Sequence, residues 1–152
     1  MKIRNLDRLK RRIRSMPSAT KTEIRAALDD GSSEMVDLAK SFVPEKTGAL
    51  ARSIDKTWGE YKPENANVRG VSSGGGGHEL SVVIHAGDAE AYYASWVEFG
   101  TAPHTNGGKF KGTMNPGAKA NPYFFPAYRL LKKRMKSKLS RAMRRAIKKA
   151  TS

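Results

Sequence analysis

The chain contains no cysteine, which excludes disulfide frameworks, thiolate metal sites and cysteine nucleophiles, and says nothing further about compartment. No apolar run approaches the roughly 18 residues of a membrane span. The basic N-terminus lacks the apolar stretch of a signal peptide, so cytosolic synthesis is the expectation, with an Arg-rich transit peptide over Met1–Met16 as a minor alternative. Acids are scarce where cations are dense. Arg129–Ser152 carries eleven Lys or Arg and no Asp or Glu, and the first sixteen residues carry seven basic residues against Asp7 alone. Between Pro17 and Tyr128 stand eleven basic and thirteen acidic residues, a net of −2. The formal +15 is therefore a near-neutral core with two cationic ends, suited to a phosphate backbone, an anionic membrane or acidic protein subunits.

A chain of 152 residues suits one domain with arms, large enough to bury about 70% of its unfolded surface without a metal or disulfide. Ile3, Leu6, Leu9, Ile13 and Met16 step by three or four, predicting a short basic amphipathic arm over 1–16, interrupted at Pro17. Thr20 with Glu23 three on has the form of a capping box. Ile24, Leu28, Met35, Leu38 and Phe42 then share one helical face, with Gly31 in the vacant slot. A mid-helix glycine costs about 1 kcal/mol relative to alanine, so a kink or break at Gly31 is an expectation. Pro44 should end the helix near Val43.

Thr47-Gly48 and Ala49–Ile54 suggest a short helical turn running into an extended segment through Trp58 and Tyr61. Gly70–Gly77 reads as a flexible loop. Leu80, Val82 and Ile84 alternate with Ser81, Val83 and His85 as a half-buried strand should. Tyr92, Trp96 and Phe99 fall at i, i+4 and i+7, predicting a short aromatic helix closed by Gly100. Thr101–Asn121 reads as a long structureless loop. Pro126 suits the first position of a last helix, in which Tyr128, Leu131, Met135, Leu139, Ala142, Ala146 and Ala150 form one narrow stripe. The domain boundaries expected are an arm at 1–16, an α+β core at 17–128 and a basic helix at 129–152 continuing from it.

Catalysis finds no support. Gly107-Gly108-Lys109 looks like part of a phosphate loop, but Phe110 stands where Ser or Thr must bind magnesium, and Pro103 where the first glycine is required. His78, His85 and His104 share no ligand spacing, and no cofactor is expected. Glu98 lies opposite the aromatic stripe in projection, so a solvated carboxylate or salt-bridge partner is preferred over a general acid. The basic helix is different. Like charges at i, i+4 repel one another, so eleven cations without an acid favour a binding face over a solvent face. The candidate polyanion- or partner-binding residues are Lys132, Lys133, Arg134, Lys136, Lys138, Arg141, Arg144, Arg145, Lys148 and Lys149, with Arg8, Arg11 and Arg12 in the arm. Aromatics are not interleaved beyond Tyr128, so base stacking is not indicated.

Three local patterns occur in one order. Val43-Pro44 precedes Thr47-Gly48-x-Leu50-x-x-Ser53-Ile54; Ala91-Tyr92-Tyr93-Ala94 leads to Val97-Glu98-Phe99-Gly100-Thr101; Asn121-Pro122-Tyr123-Phe124-Phe125-Pro126-Ala127 precedes the last helix. Together, over roughly residues 20–140, the chain resembles the tail-component family of tailed bacteriophages, the neck or tail-completion proteins of the head–tail junction. The resemblance implies an α+β fold, a small antiparallel sheet packed with a long N-terminal helix and a long basic C-terminal helix. It implies a non-enzymatic virion protein made in the bacterial host cytoplasm. Its copies would form a ring, a hexamer or a dodecamer, around the DNA channel. The partners implied are head-closure, tail-terminator or tail-tube proteins, with DNA in the channel and no membrane. The Gly-rich loop, the 101–121 loop and the basic arm are where ring contacts are expected, the two loops being mobile until neighbours order them. A stand-alone basic nucleic-acid-binding protein is the alternative, and an enzyme a distant third.

Overall fold

The computed structural model describes Asp7, Arg11, residues 14–44, Lys46 and residues 48–150. Ile3, Leu6, Leu9 and Ile13 of the arm's apolar stripe, with Arg8, Arg12 and Thr47, lie outside the described residues; Met16 is half-buried, and Arg11 is helical and exposed. Helix α1 spans Ser18–Phe42, α2 Ala49–Ser53 and α3 Ala94–Phe99. Helix α4 covers Phe124–Ala150. Strands β1 (Asp55–Trp58), β2 (Val71–Ser72) and β3 (Val82–Ala86) form an antiparallel sheet in the order β1-β3-β2, with Asp55 opposite His85 and Val71 opposite Ala86. The fold is the expected α+β arrangement of two long helices on a small antiparallel sheet.

Helix α1 begins at Ser18 behind Pro17, with no side-chain cap. The capping box expected at Thr20 and Glu23 does not form: Thr20 is already inside the helix and buried, and Glu23 reaches instead to Lys149. The ladder starts earlier, Lys21 donating its N–H to the Pro17 carbonyl at 3.2 Å. The other end falls where Pro44 requires, Val43 taking an extended ψ of 130° because an α conformation there would clash with the proline ring.

Gly31 neither kinks nor breaks α1, which runs through it without interruption. It faces α4: a Cβ there would lie 3.5 Å from Met135 Cγ, an ordinary contact, so the position admits a methyl but not a larger side chain between the two helices. The two helices run antiparallel, Glu34 meeting Arg134 near one end and Glu23 meeting Lys149 near the other. Met35 and Ala39 of α1, Ile84 and Ala86 of β3, and Phe124 and Ala127 of α4 close one core. Burial at roughly 25 cal/mol per Å² of apolar surface drives that closure.

The alternation read at β3 holds, but the strand is buried on both sides. Ile84 faces the core, and Val83, on the opposite face, is 2% exposed. The glycine-rich segment covers it. Val71–Ser72 pairs with β3, and Ser73 exchanges bonds with Ile84, its N–H donating to the carbonyl at 2.8 Å and its Oγ accepting at 3.1 Å. Gly76 then passes so close that a Cβ would stand 2.5 Å from the Gly59 carbonyl oxygen and 2.9 Å from Val83 Cγ2. The segment expected to be loop is therefore a short strand followed by a glycine strap. Tyr61 completes this second face, stacked on His85 at 3.8 Å.

The stretch after α3 also differs from its reading. His104–Thr105 (β4) pairs with Met114–Asn115 (β5) in a hairpin, and a bridge between Thr101 and Ala118 closes its base. Gly117 makes that base: at φ 79°, with a Cβ only 2.2 Å from the Thr101 carbonyl oxygen, no side chain fits. The low apolar content that suggested a loop reflects strands that are largely exposed, with only Asn115 half-buried.

Gly31→Ala should raise stability by up to about 1 kcal/mol, read as a higher urea midpoint, because the added methyl reaches Met135 at ordinary contact distance. Gly31→Leu should lower it by forcing the two helices apart. A lower midpoint for Gly31→Ala would show that the helices cannot accommodate even a methyl.

Candidate functional site

Of the ten cations proposed on α4, three are turned to the protein's own acids. Arg134 pairs with Glu34 at 2.8 Å, Lys138 bridges Asp30 and Glu34, and Lys149 pairs with Glu23. Arg145 stands on the same flank, beside Glu23 and Asp30. Helical periodicity explains the division. Positions 134, 138, 145 and 149 lie on the side of α4 adjoining its apolar stripe, next to the acidic row of α1. The expectation that the whole set forms one outward binding face is corrected to this extent.

Lys133, Arg141 and Arg144 project away from the stripe, are exposed, and make no ion pair to an acid among the described residues. Lys148 is also exposed. On the opposite flank Lys132 lies over the Tyr128 ring at 5.9 Å and, with Lys136, edges an apolar cleft floored by Met135 and Leu139. Lys133 and Arg144 stand three turns apart, about 16 Å along the axis. Leu130 and Ile147, 66% and 50% exposed, bracket this outward face. The apolar stripe follows its reading, with Ala142 and Ala146 buried at 2% each.

The acidic row of α1 sets a local electrostatic balance. The Lys138 ammonium bonded to Asp30 holds that carboxyl below its ordinary value, with Arg134 and Lys56 adding to the effect. Lys56 of β1 spans the layers, its Nζ 2.7 Å from both Asp29 Oδ1 and Ser33 Oγ. The face shared by Ile54, Lys56 and Trp58 is thus the face turned to α1, where Arg25 lies 4.2 Å over the Trp58 ring.

What positions α4 is a residue whose reading the structure overturns. Glu98 is 2% exposed and makes no salt bridge among the described residues. Its Oε2 accepts the N–H groups of Tyr123 and Phe124, each at 2.8 Å, and its Oε1 accepts that of Phe125 at 3.0 Å. A helix leaves its first four N–H groups without intrahelical partners. Here three bond to one carboxylate and the fourth position is Pro126, which has no N–H. Pro126 is accordingly the third residue of α4 rather than the first. The negative carboxylate also faces the positive end of the helix dipole. One clue was present in the sequence: the approach to α4, Asn121-Pro122-Tyr123, offers no Ser, Thr or Asp next to Phe124.

Turning Glu98 inward turns the aromatic stripe outward. Tyr92, Trp96 and Phe99 are 46%, 44% and 63% exposed. The Tyr123 hydroxyl donates to the Ala94 carbonyl at 3.3 Å, and burial, with Glu98 nearby, raises its pKa above the ordinary tyrosine value. His85 donates to or accepts from Thr57 Oγ1 at 2.9 Å, its Nδ1 is buried, and burial lowers its pKa. No cluster of three or more metal-ligating side chains occurs among the described residues. None of the helices they form is long and apolar enough to cross a membrane.

A family model described as "Bacteriophage HK97-gp10, putative tail-component" matches residues 7–100, ending just past α3. No curated protein and no solved structure matches the chain.

Glu98→Ala would strand two buried N–H groups and one half-buried one, so the unfolding free energy should fall by at least about 3 kcal/mol. Glu98→Gln should recover only part of this, because its NH2 group would face donors. An unchanged urea midpoint for Glu98→Ala would show that α4 does not depend on the cap. The lowered Asp30 pKa gives a second outcome. Its contribution to stability is complete above the unfolded carboxyl value of about 3.9 and is lost as pH falls through the lower folded value. Lys138→Gln should therefore reduce the stability lost on acidification below about pH 4; a wild-type acid profile would show that the pair contributes nothing.

Proposed function

We propose that this chain, which belongs to the HK97-gp10-like family of bacteriophage tail components through a match covering more than half its length, is a structural ring protein of the virion neck. Copies surround the DNA channel at the head–tail junction and join or complete the tail. The role is mechanical rather than catalytic. Neighbouring head-closure, tail-terminator or tail-tube proteins are the partners.

The observation that supports this most directly is the family match joined to the division of charge. The matched region holds all the acids of the chain. The 54 residues from Phe99 to Ser152 hold fourteen Lys or Arg and no acid. A component at a DNA channel needs a folded core to assemble and a cationic surface to present; here α4 belongs to the core along its apolar stripe and carries the surplus cations on its outward side. The exposed hairpin over 101–118 and the glycine strap over 74–77 are where neighbouring copies make contact in this reading. The outward cations of α4 meet acidic ring partners, since contacts between proteins must hold a fixed register while DNA has to slide. The alternative, a stand-alone nucleic-acid-binding protein, gives no role to the exposed aromatic side of α3.

A phage lacking the gene should fill heads and build tails yet yield few joined particles, or tails with a defective end. Normal infectious virions in micrographs of that mutant would remove the neck assignment. Substituting Gln at Lys133, Lys136, Arg141 and Arg144 should leave stability within about 0.5 kcal/mol and weaken assembly more than DNA retention. Normal assembly with leaking DNA would place the outward face of α4 in the lumen. There DNA binding should be sequence-independent, with log K falling against log salt by about 0.9 per phosphate contacted.

A further inference from the structure

Inversion of α3 leaves more than three exposed rings. Beside Trp96, the described residues after α1 and before α2 and the segment 118–121 that follows the hairpin line a groove of ≈ 490 Å³. Its walls are apolar, with Val43, Pro44, Leu50 and Val97 on the floor and Trp96 at the side. Its charged groups are Lys46 and Lys119, both exposed. No Asp or Glu lines it among the described residues. Large aromatics held on a rigid element beside a concave apolar surface are the usual centre of a protein–protein contact. Here the element is rigid because its other face is fixed to α4 through Glu98.

We propose that this groove docks an acidic peptide segment of a different protein. One bulky apolar side chain of that segment sits beside Trp96, and its carboxylates pair with Lys46 and Lys119. The charges select the occupant. Two cations at an apolar groove, with no acid beside them among the described residues, match an anchor flanked by Asp or Glu. They also argue against a head-to-tail contact with a second copy of this chain. Away from the groove, its large exposed apolar side chains include Phe110, Met114, Leu130 and Ile147, and all four lie after Glu98, where the chain has no acid. Any of them entering the groove would bring cations onto Lys46 and Lys119, which is disfavoured. The inference stands apart from the ring reading, because it needs only the folded subunit.

The test is fluorescence anisotropy of the full chain with a labelled peptide of sequence Asp-Glu-Leu-Phe-Glu-Asp. Two companions serve as controls, one with Gly-Gly in place of Leu-Phe and one with every acid replaced by Lys. The acidic anchored peptide should bind at least about tenfold more tightly than either control. Trp96→Ala should weaken it about tenfold or more, and the pair Lys46→Gln with Lys119→Gln should weaken it and flatten its salt dependence. Neutralising Lys133 and Arg144 on α4 should change nothing. Thermal midpoints of the variants should stay near wild type, since all the substituted side chains are exposed. Binding that survives Trp96→Ala and the Lys46/Lys119 pair but falls with Lys133 and Arg144 would overturn the proposal in favour of nonspecific polyanion binding. No binding of the anchored peptide would overturn it as well. So would loss of self-assembly on Trp96→Ala in sedimentation velocity, which would give the groove to a second copy.

Discussion

One carboxylate holds the ends of two helices together. Glu98 bonds to the N–H groups of Tyr123, Phe124 and Phe125, and Pro126 removes the donor that would otherwise be left over. Hydrogen bonds to a charged group contribute about 1.5–3 kcal/mol each, and a buried donor without a partner costs a similar amount. The bonds lock α3 to the start of α4 at the same place where Tyr123 and Phe124, both 0% exposed, enter the core. Cap and core thus reinforce each other. The carboxylate is kept dry by the rings, and the rings are placed by the carboxylate.

Two surface features depend on that lock. A helix of six residues has room for only one well-buried face, and on α3 that face is given to Ala94 and Glu98. The aromatic residues must then face outward, and Trp96 among them borders the groove at Lys46 and Lys119. At the other end of the lock, the direction of α4 is set by its first turn. Its rotation is set by the apolar stripe packed against α1. Rotation decides which cations meet Glu23, Asp30 and Glu34 and which remain on the surface. The division of the basic helix into an inner and an outer set therefore follows from packing, while the number of cations follows from composition.

The sheet depends on a close approach. The sequence 74–77, four glycines in a row, has the composition of a flexible linker. Gly76 lies against Val83 and the Gly59 carbonyl with less space than a methyl needs, so at that position glycine serves as a packing residue. Gly74, Gly75 and Gly77 have open space around them and take positive φ values that glycine adopts without strain. Composition alone cannot separate these two uses, because both call for the same residue.

The amino-acid sequence by itself determined the elements governed by local chemistry. The end of α1 at Pro44, the alternation in β3, the closing of α3 by Gly100 and the apolar stripe of α4 could all be read from neighbours in the chain. The order of three short motifs also identified the tail-component family. Only the tertiary structure decided which way α3 faces, where Glu23 and Glu98 find partners, why Gly31 does not break its helix, and that the stretch after Gly100 folds into a hairpin. The physical reason is the range of the interactions. Periodicity and proline sterics act over a few residues, whereas Glu98 meets its donors 25 to 27 residues away and Glu23 meets Lys149 at a separation of 126. A carboxylate aimed at a distant helix end has the same local signature as one aimed at water.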